Sequence, residues 1–296
     1  MTRPPRARIS PIAGPASEQK GTSVAVSGRW QLHPLHLYFV HSYLGLDDLT
    51  LPLEITPYTR TRQEFAEVGK REYDTMCSAG LIVDDEVEPG LARALTVLSK
   101  PYLWVDSLWV PEAGKQALCR AVAAVTDGNR IVLGVQPPGE DDSHGGMLTV
   151  ELHERVTLSQ ALLPTLPPAP PGRQGAAKVP ESSFPTSERE REPAEQGVLQ
   201  QVSVTRSGTS GDRQLELYRA IGAARHPRAG QLAANCRDRT GRVHRSQVVR
   251  WFDNVDDGRY LDHTERGSTG ETVYALLPAD AATLGRRVEE LVATVR

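Results

Sequence analysis

Apolar positions along this chain recur with two alternating periods. Over Pro89–Ser99, Leu91, Leu95 and Leu98 fall at helical spacing, and Pro101 stops the run because proline removes a backbone donor. Segments at 102–110, 116–126, 130–136 and 147–154 then read as strands, the middle two joined by Asp127-Gly128-Asn129. A short helix at 157–163 closes this half. The order repeats with a helix at 213–224, which ends before Pro227. Strands at 229–237, 245–252, 258–263 and 271–277 follow, and a helix at 279–294 closes the chain. Two more helices, 31–44 and 63–79, come first; Pro57 precedes the second, and Gly80 stands where a C′ glycine ends it. Helix, four strands, helix, twice over, predicts an α+β fold of two related halves joined about a pseudo-two-fold axis.

The pattern breaks at 164–197. Eight prolines lie between Pro164 and Pro193, and Glu188-Arg189-Glu190-Arg191-Glu192 alternates in charge. Such a stretch cannot bury enough apolar surface to offset its conformational entropy, so at least 186–197 is expected to be mobile, although an alternating Glu-Arg run can also form a short helix. The boundaries that follow are a disordered tail at 1–28, an N-terminal half at 29–163, a linker at 164–197 and a C-terminal half at 198–296.

Composition narrows the class. With 296 residues, the chain can bury a sizeable core, built mostly of Leu, Val and Ala because aromatics are only 5%. A net charge of -3 argues against a general nucleic-acid or membrane-surface role. Cys77, Cys119 and Cys236 lie far apart with no CxxC pair, which suits a reducing compartment. The first twenty residues hold no apolar signal-peptide core, and no stretch approaches the roughly 18 apolar residues of a membrane span. The expected location is the cytoplasm, without membrane insertion.

Four groups could carry chemistry, and each has a plainer explanation. His33, His36 and His41 point in separate directions on a helix, without the convergence that zinc needs. Asp141, Asp142 and His144 sit in a glycine-rich turn between strands. The acidic turn from Asp253 to Gly258 lacks calcium-loop chemistry, with Val255 and Thr264 where oxygen ligands belong. No phosphate-cradling or serine-hydrolase motif occurs. The expectation is therefore no catalytic residue, no metal and no cofactor. Arg237, Arg239, Arg242, Arg245 and Arg250 support an alternative, a nucleic-acid-binding regulator using the hairpin 237–250. Asp238 and Asp253 interrupt that patch, however, and residues 213–296 carry fourteen Arg against eleven Asp plus Glu. A solubilising hairpin is the preferred reading, with no nucleic-acid partner.

The order of short motifs is more specific than any one of them. Arg237-Asp238-Arg239-Thr240-Gly241-Arg242-Val243-His244-Arg245 leads into Val248-Val249-Arg250-Trp251-Phe252-Asp253-Asn254 and then Asp257-Gly258-Arg259-Tyr260. Upstream stand Trp30, Leu44-Gly45-Leu46, Leu51-Pro52-Leu53 and Lys100-Pro101-Tyr102-Leu103-Trp104-Val105-Asp106; Leu277-Pro278-Ala279-Asp280 opens the last helix. This succession, from about Trp30 to the end, resembles the ESX (type VII) secretion-associated EspG family of actinobacteria. Asn254, where the family more often has Thr, and the charged insert at 186–197 are departures. Trp30 is matched to the family's first helix, and Trp251, Asp253, Gly258, Arg259 and Tyr260 are its structural signature.

The resemblance implies a central antiparallel sheet shared by both halves and flanked by N- and C-terminal helical bundles. It also implies a cytosolic, non-enzymatic chaperone, monomeric or weakly dimeric, that grips the apolar tip of a helical PE–PPE heterodimer between sheet and C-terminal bundle. The helix at 213–224 has an apolar arc wider than one buried face needs. The expected division has Leu217 and Ile221 packing inward, with Leu215 and Tyr218 facing the client. Candidate client contacts are thus Leu215, Tyr218 and Gly222 on this helix, with Gln231 and Ala233 on the next strand.

Overall fold

The computed structural model describes residues 25–141, 144–184 and 213–296. Helix and strand occupy about 33% and 34%, and all strand ladders are antiparallel, which makes the fold α+β. The chain opens with β1 (Ala25–Leu32), α1 (Pro34–Leu44), α2 (Arg62–Ser78), a small hairpin of β2 (Ile82–Val83) and β3 (Glu86–Val87), and α3 (Pro89–Ser99). A four-strand meander follows, made of β4 (Leu103–Val110), β5 (Cys119–Thr126), β6 (Arg130–Gln136) and β7 (Leu148–Glu154). Next come α4 (Leu158–Leu162) and β8 (Ala177–Pro180). The second half contains α5 (Arg213–Ala223), β9 (Arg228–Arg237), β10 (Val243–Arg245), β11 (Val249–Asn254), β12 (Gly258–Arg266), β13 (Thr272–Pro278) and α6 (Ala281–Val295).

Helix starts follow local chemistry. Pro34 and Pro89 occupy first-turn positions, where a missing N–H costs nothing, and Glu88 caps α3 by accepting from the Leu91 N–H at 2.6 Å. Thr157 and Gln160 form a reciprocal capping box on α4, and Asp280 accepts from the Thr283 N–H at 2.7 Å to start α6. Gly80 follows α2 with φ +70°, the left-handed conformation expected there.

Strands run in the order β1-β7-β6-β5-β4-β9-β11-β12-β13-β8, with β10 paired to β9 off this path, an 11-stranded sheet among the described residues. The seam between halves is β4 against β9, where Leu103 to Val110 pair with Cys236 to Ala229. Two helical layers sandwich it. On the lower face, α4 and α6 bury Leu158, Leu162, Leu284, Val288 and Leu291 against Val105, Ala123, Leu133, Ala234 and Trp251. On the upper face, α1, α2 and α3 cover the first half over Trp104, Val122, Ala124 and Val132. At the far end of the upper face, α5 packs Ile221 against Ala177, Tyr260 and Leu276.

Four expectations are revised. Residues 25–32 form an edge strand, so Trp30 lies on β1 rather than on a first helix, and α1 starts at Pro34 with His33 as its cap. Part of the expected linker is structural, because β8 pairs Ala177 to Pro180 with Leu276 to Val273. The strand read at 245–252 is two, with β10 ending at Arg245 and β11 starting at Val249. The 82–87 hairpin is additional. Residues 186–197, and most of the expected tail at 1–28, lie outside the described residues. No helix among those described is long and apolar enough to cross a membrane.

Candidate functional site

The signature residues Trp251, Asp253, Gly258, Arg259 and Tyr260 form a structural clasp. Register sets Arg228, Asp253 and Arg259 side by side across β9, β11 and β12. Arg259 donates twice to the Asp253 carboxylate, at 2.7 and 3.0 Å, and Arg228 approaches the same group at 2.9 Å. The Arg259 guanidinium stacks on the Trp251 ring at 4.2 Å. Its remaining reach donates to the Pro167 carbonyl at 2.8 Å, tying down the proline-rich segment after α4. The Arg259 N–H donates to the Pro170 carbonyl, and the Gly172 N–H donates to that of Arg259. Tyr260, on the opposite face, receives the Gln174 N–H at 3.1 Å and donates to Asp257 at 2.8 Å. Burial chiefly pushes the Tyr260 phenol up to about 12, and Asp257 is held low by its donors Arg173, Gln174 and Tyr260. Gly258 has φ +149°, and a Cβ there would sit 2.5 Å from the Pro171 carbonyl oxygen. An apolar cleft of about 700 Å³ lies beside Arg259, between Leu163, Pro168, Ala282 and Gly285.

The middle of the upper face, between the α1–α3 layer and α5, is open among the described residues. Register aligns one row across it, Arg120, Leu108, Gln231, Arg250 and Asp262. Leu108 and Gln231 are half-buried and Arg250 is exposed. The next positions are Asp106 opposite Ala233, then Trp104 opposite Asn235, which itself faces Arg245. Asp106 is buried yet fully partnered. Arg245 grips it with a fork at 2.6 and 3.1 Å, and the Asn235 amide donates to it at 2.7 Å. Arg245 leaves 43% of its side chain exposed, so the network presents a guanidinium edge to the open face. Tyr218 forms one wall, packed edge-on against Phe184 at 5.7 Å, and burial is the first cause of its raised phenol pKa.

These positions sort the expected client contacts. Gln231 and Tyr218 flank the open middle, and Gly222 has room for a Cβ with no atom within 4 Å. Leu215 is buried at 3%, so it does not face outward, and Ala233 is fully buried. Leu217, expected inward, is only half-buried. The cause is β8: α5 packs on this strand, with Gln214 accepting the Lys178 N–H at 2.9 Å, which turns Leu215 and Ile221 inward. Neither Asp106 nor Asn235 is a candidate contact on sequence grounds, and Arg245 enters there only as one of the basic hairpin residues. The signal was a lone aspartate inside the apolar strand Leu-Trp-Val-Asp-Ser-Leu-Trp-Val.

The other groups serve the fold. His33 caps α1, His36 meets Glu72 of α2 at 3.4 Å, and His41 bonds the Asp47 carbonyl at 2.7 Å. No cluster of three potential ligands exists among the described residues. Asp238 organises the basic hairpin by accepting from the Thr240 and Arg242 N–H groups, and hydrogen bonds from Thr240 and His244 hold its carboxyl well below the usual range. Arg237 lies over Trp104 at 5.8 Å and donates to the Gly241 carbonyl, and Arg245 is turned onto Asp106. The basic run therefore does not form one continuous positive face.

A search of curated proteins finds none that matches the chain. The model of the EspG family matches residues 33–290. That span includes the clasp, the seam and the open upper face. The chain therefore belongs to the EspG family, a chaperone-type family associated with type VII secretion.

Proposed function

We propose that this protein is a cytosolic chaperone that holds one type VII secretion substrate, a PE–PPE-like helical heterodimer, soluble before export. The observation that carries this reading is the open middle of the upper face, walled by α3 on one side and α5 on the other. A family with this role needs a surface that covers an apolar helical tip reversibly and performs no chemistry on it. Leu108 supplies apolar floor, while Gln231, Arg245 and Arg250 supply polar points that fix orientation. Tyr218 and Gly222 of α5 complete the proposed contact surface. The strand order, which reads outward in the same way from the β4–β9 seam, supports a pseudo-two-fold relation between halves.

Co-expression with a PE–PPE-like heterodimer tests the reading. The expected result is a soluble stoichiometric complex by gel filtration. Leu108→Asp combined with Gln231→Ala should abolish the complex while leaving the melting temperature within a few degrees. A heterodimer that stays insoluble with the wild-type protein, or a complex that survives the double substitution, overturns it.

A further inference from the structure

The polar groups in the middle of the upper face differ in how far they are satisfied. Asp106 is matched by Arg245 and Asn235, and Arg120 by Glu54 at 2.9 Å. Arg250 has no hydrogen bond or ion pair within 4 Å among the described residues, although Asp262 lies opposite it in register. Gln231, its neighbour on β9, makes no side-chain hydrogen bond among them either. Both protrude from strands at the centre of a sheet whose lower face is packed by α4 and α6, so this part of the upper face is the one left accessible to a partner. A planar guanidinium beside a carboxamide, with apolar Leu108 next in the row, presents convergent donors on a hydrophobic floor.

We infer that Arg250 and Gln231 form a seat for one acidic side chain at the tip of the helical client, making Arg250 a specificity-determining residue. This rests on the reading of the upper face as the docking surface. The arginine fork takes the carboxylate bidentately and the Gln231 amide adds a third donor, with the client's apolar tip excluding water around them. The occupant is a single carboxylate rather than a polyanion. Asp106 and Asp262 flank the seat, so a nucleic-acid backbone would meet two carboxylates within the same footprint. Asp262 lies beside Arg250 without an ion pair within 4 Å; burial raises its carboxyl and Arg250 pulls it back, so the guanidinium keeps its hydrogen-bonding edge unspent.

The test uses the full chain and two synthetic helical-hairpin peptides with the same apolar tip, one carrying glutamate there and the other glutamine. Fluorescence anisotropy should show the wild-type protein binding the glutamate peptide about tenfold more tightly, a preference that shrinks at high ionic strength. Arg250→Gln should bind both peptides equally and weakly at an unchanged melting temperature, and Arg250→Lys should recover only part of the preference. Short duplex DNA at low ionic strength should not displace the glutamate peptide. Equal binding of both peptides by the wild type removes the seat but leaves the docking face standing. Binding of neither removes both, and a preference that persists in Arg250→Gln, or displacement by DNA, also overturns the seat.

Discussion

Asp253 and His263 are both buried on the lower face, and their environments impose opposite demands. Asp253 is only 3% exposed and its carboxylate is paired with both Arg259 and Arg228, so its burial is tolerated only while these contacts persist. Removing one partner of such a pair leaves an uncompensated charge, at a cost of about 3–5 kcal/mol. Arg259→Met should therefore lower unfolding free energy by about that amount in urea titration, and should free the 167–174 segment for protease cleavage. His263, by contrast, is held neutral: burial first, and then Arg287, lower its pKa, and its Nδ1 has no partner among the described residues. The unfolded ring titrates near pH ~6.5, whereas the folded ring resists protonation to lower pH. Above ~6.5 both states are neutral and this residue adds no pH dependence. As pH falls below ~6.5 the unfolded state binds the proton first, so stability declines until the folded ring also titrates. Unfolding free energies measured across this window should fall more steeply for the wild type than for His263→Phe. The lowered carboxyls of Asp257 and Glu265 add their own loss only at still lower pH, through the carboxylate range.

At the scale of elements, those with long periodic runs were legible and those defined by partners were not. Leu91, Leu95 and Leu98 mark α3 because a helix buried on one face must place apolar residues at that spacing, and all three are buried. Strand β8 left almost no mark. Ala177, Lys178, Val179 and Pro180 alternate correctly between buried and outward positions, but four residues in a proline-rich stretch look like linker, and an edge strand tolerates the proline. The face of α5 depends on β8: the apolar arc stands in the sequence, but which side turns inward is set by packing on that strand, so the sequence alone puts Leu215 outside. On the open upper face, Gln231 stands out in the sequence, whereas the partnering of Asp106 with Asn235 and Arg245 joins residues more than a hundred positions apart. The corrected face of α5 can be checked. Ile221→Ala should cost about 2–5 kcal/mol, since it empties a fully buried site against Ala177, Tyr260 and Leu276. Leu217→Ala, at a half-buried position, should cost clearly less; equal losses would restore the earlier division of faces.

Considered as a whole, the molecule has one main sheet, and its lower helical layer draws on both halves. The seam pairs eight residues of β4 with β9. The lower core joins α4 of the first half to α6 of the second, with Val105, Ala123 and Leu133 beside Trp251 and Leu261. Ser159 of α4 also donates to Glu289 of α6 at 2.6 Å. Separating the halves would expose the β4 and β9 edges and break the packing of α4 on α6 and of α6 on β4 at once. Independent unfolding of the two halves should therefore be strongly disfavoured, and thermal or urea denaturation should follow one transition. Tryptophan reports this directly, since Trp104 lies in the upper core of the first half and Trp251 in the shared lower core. In a variant with Trp251→Phe the emission reports the first half, and in one with Trp104→Phe it is weighted toward the seam and second half. Each variant's emission midpoint should coincide with its own midpoint by far-ultraviolet circular dichroism. Two separated midpoints within either variant would show that the halves are autonomous domains, and that the β4–β9 seam is a contact between them rather than the centre of a single fold.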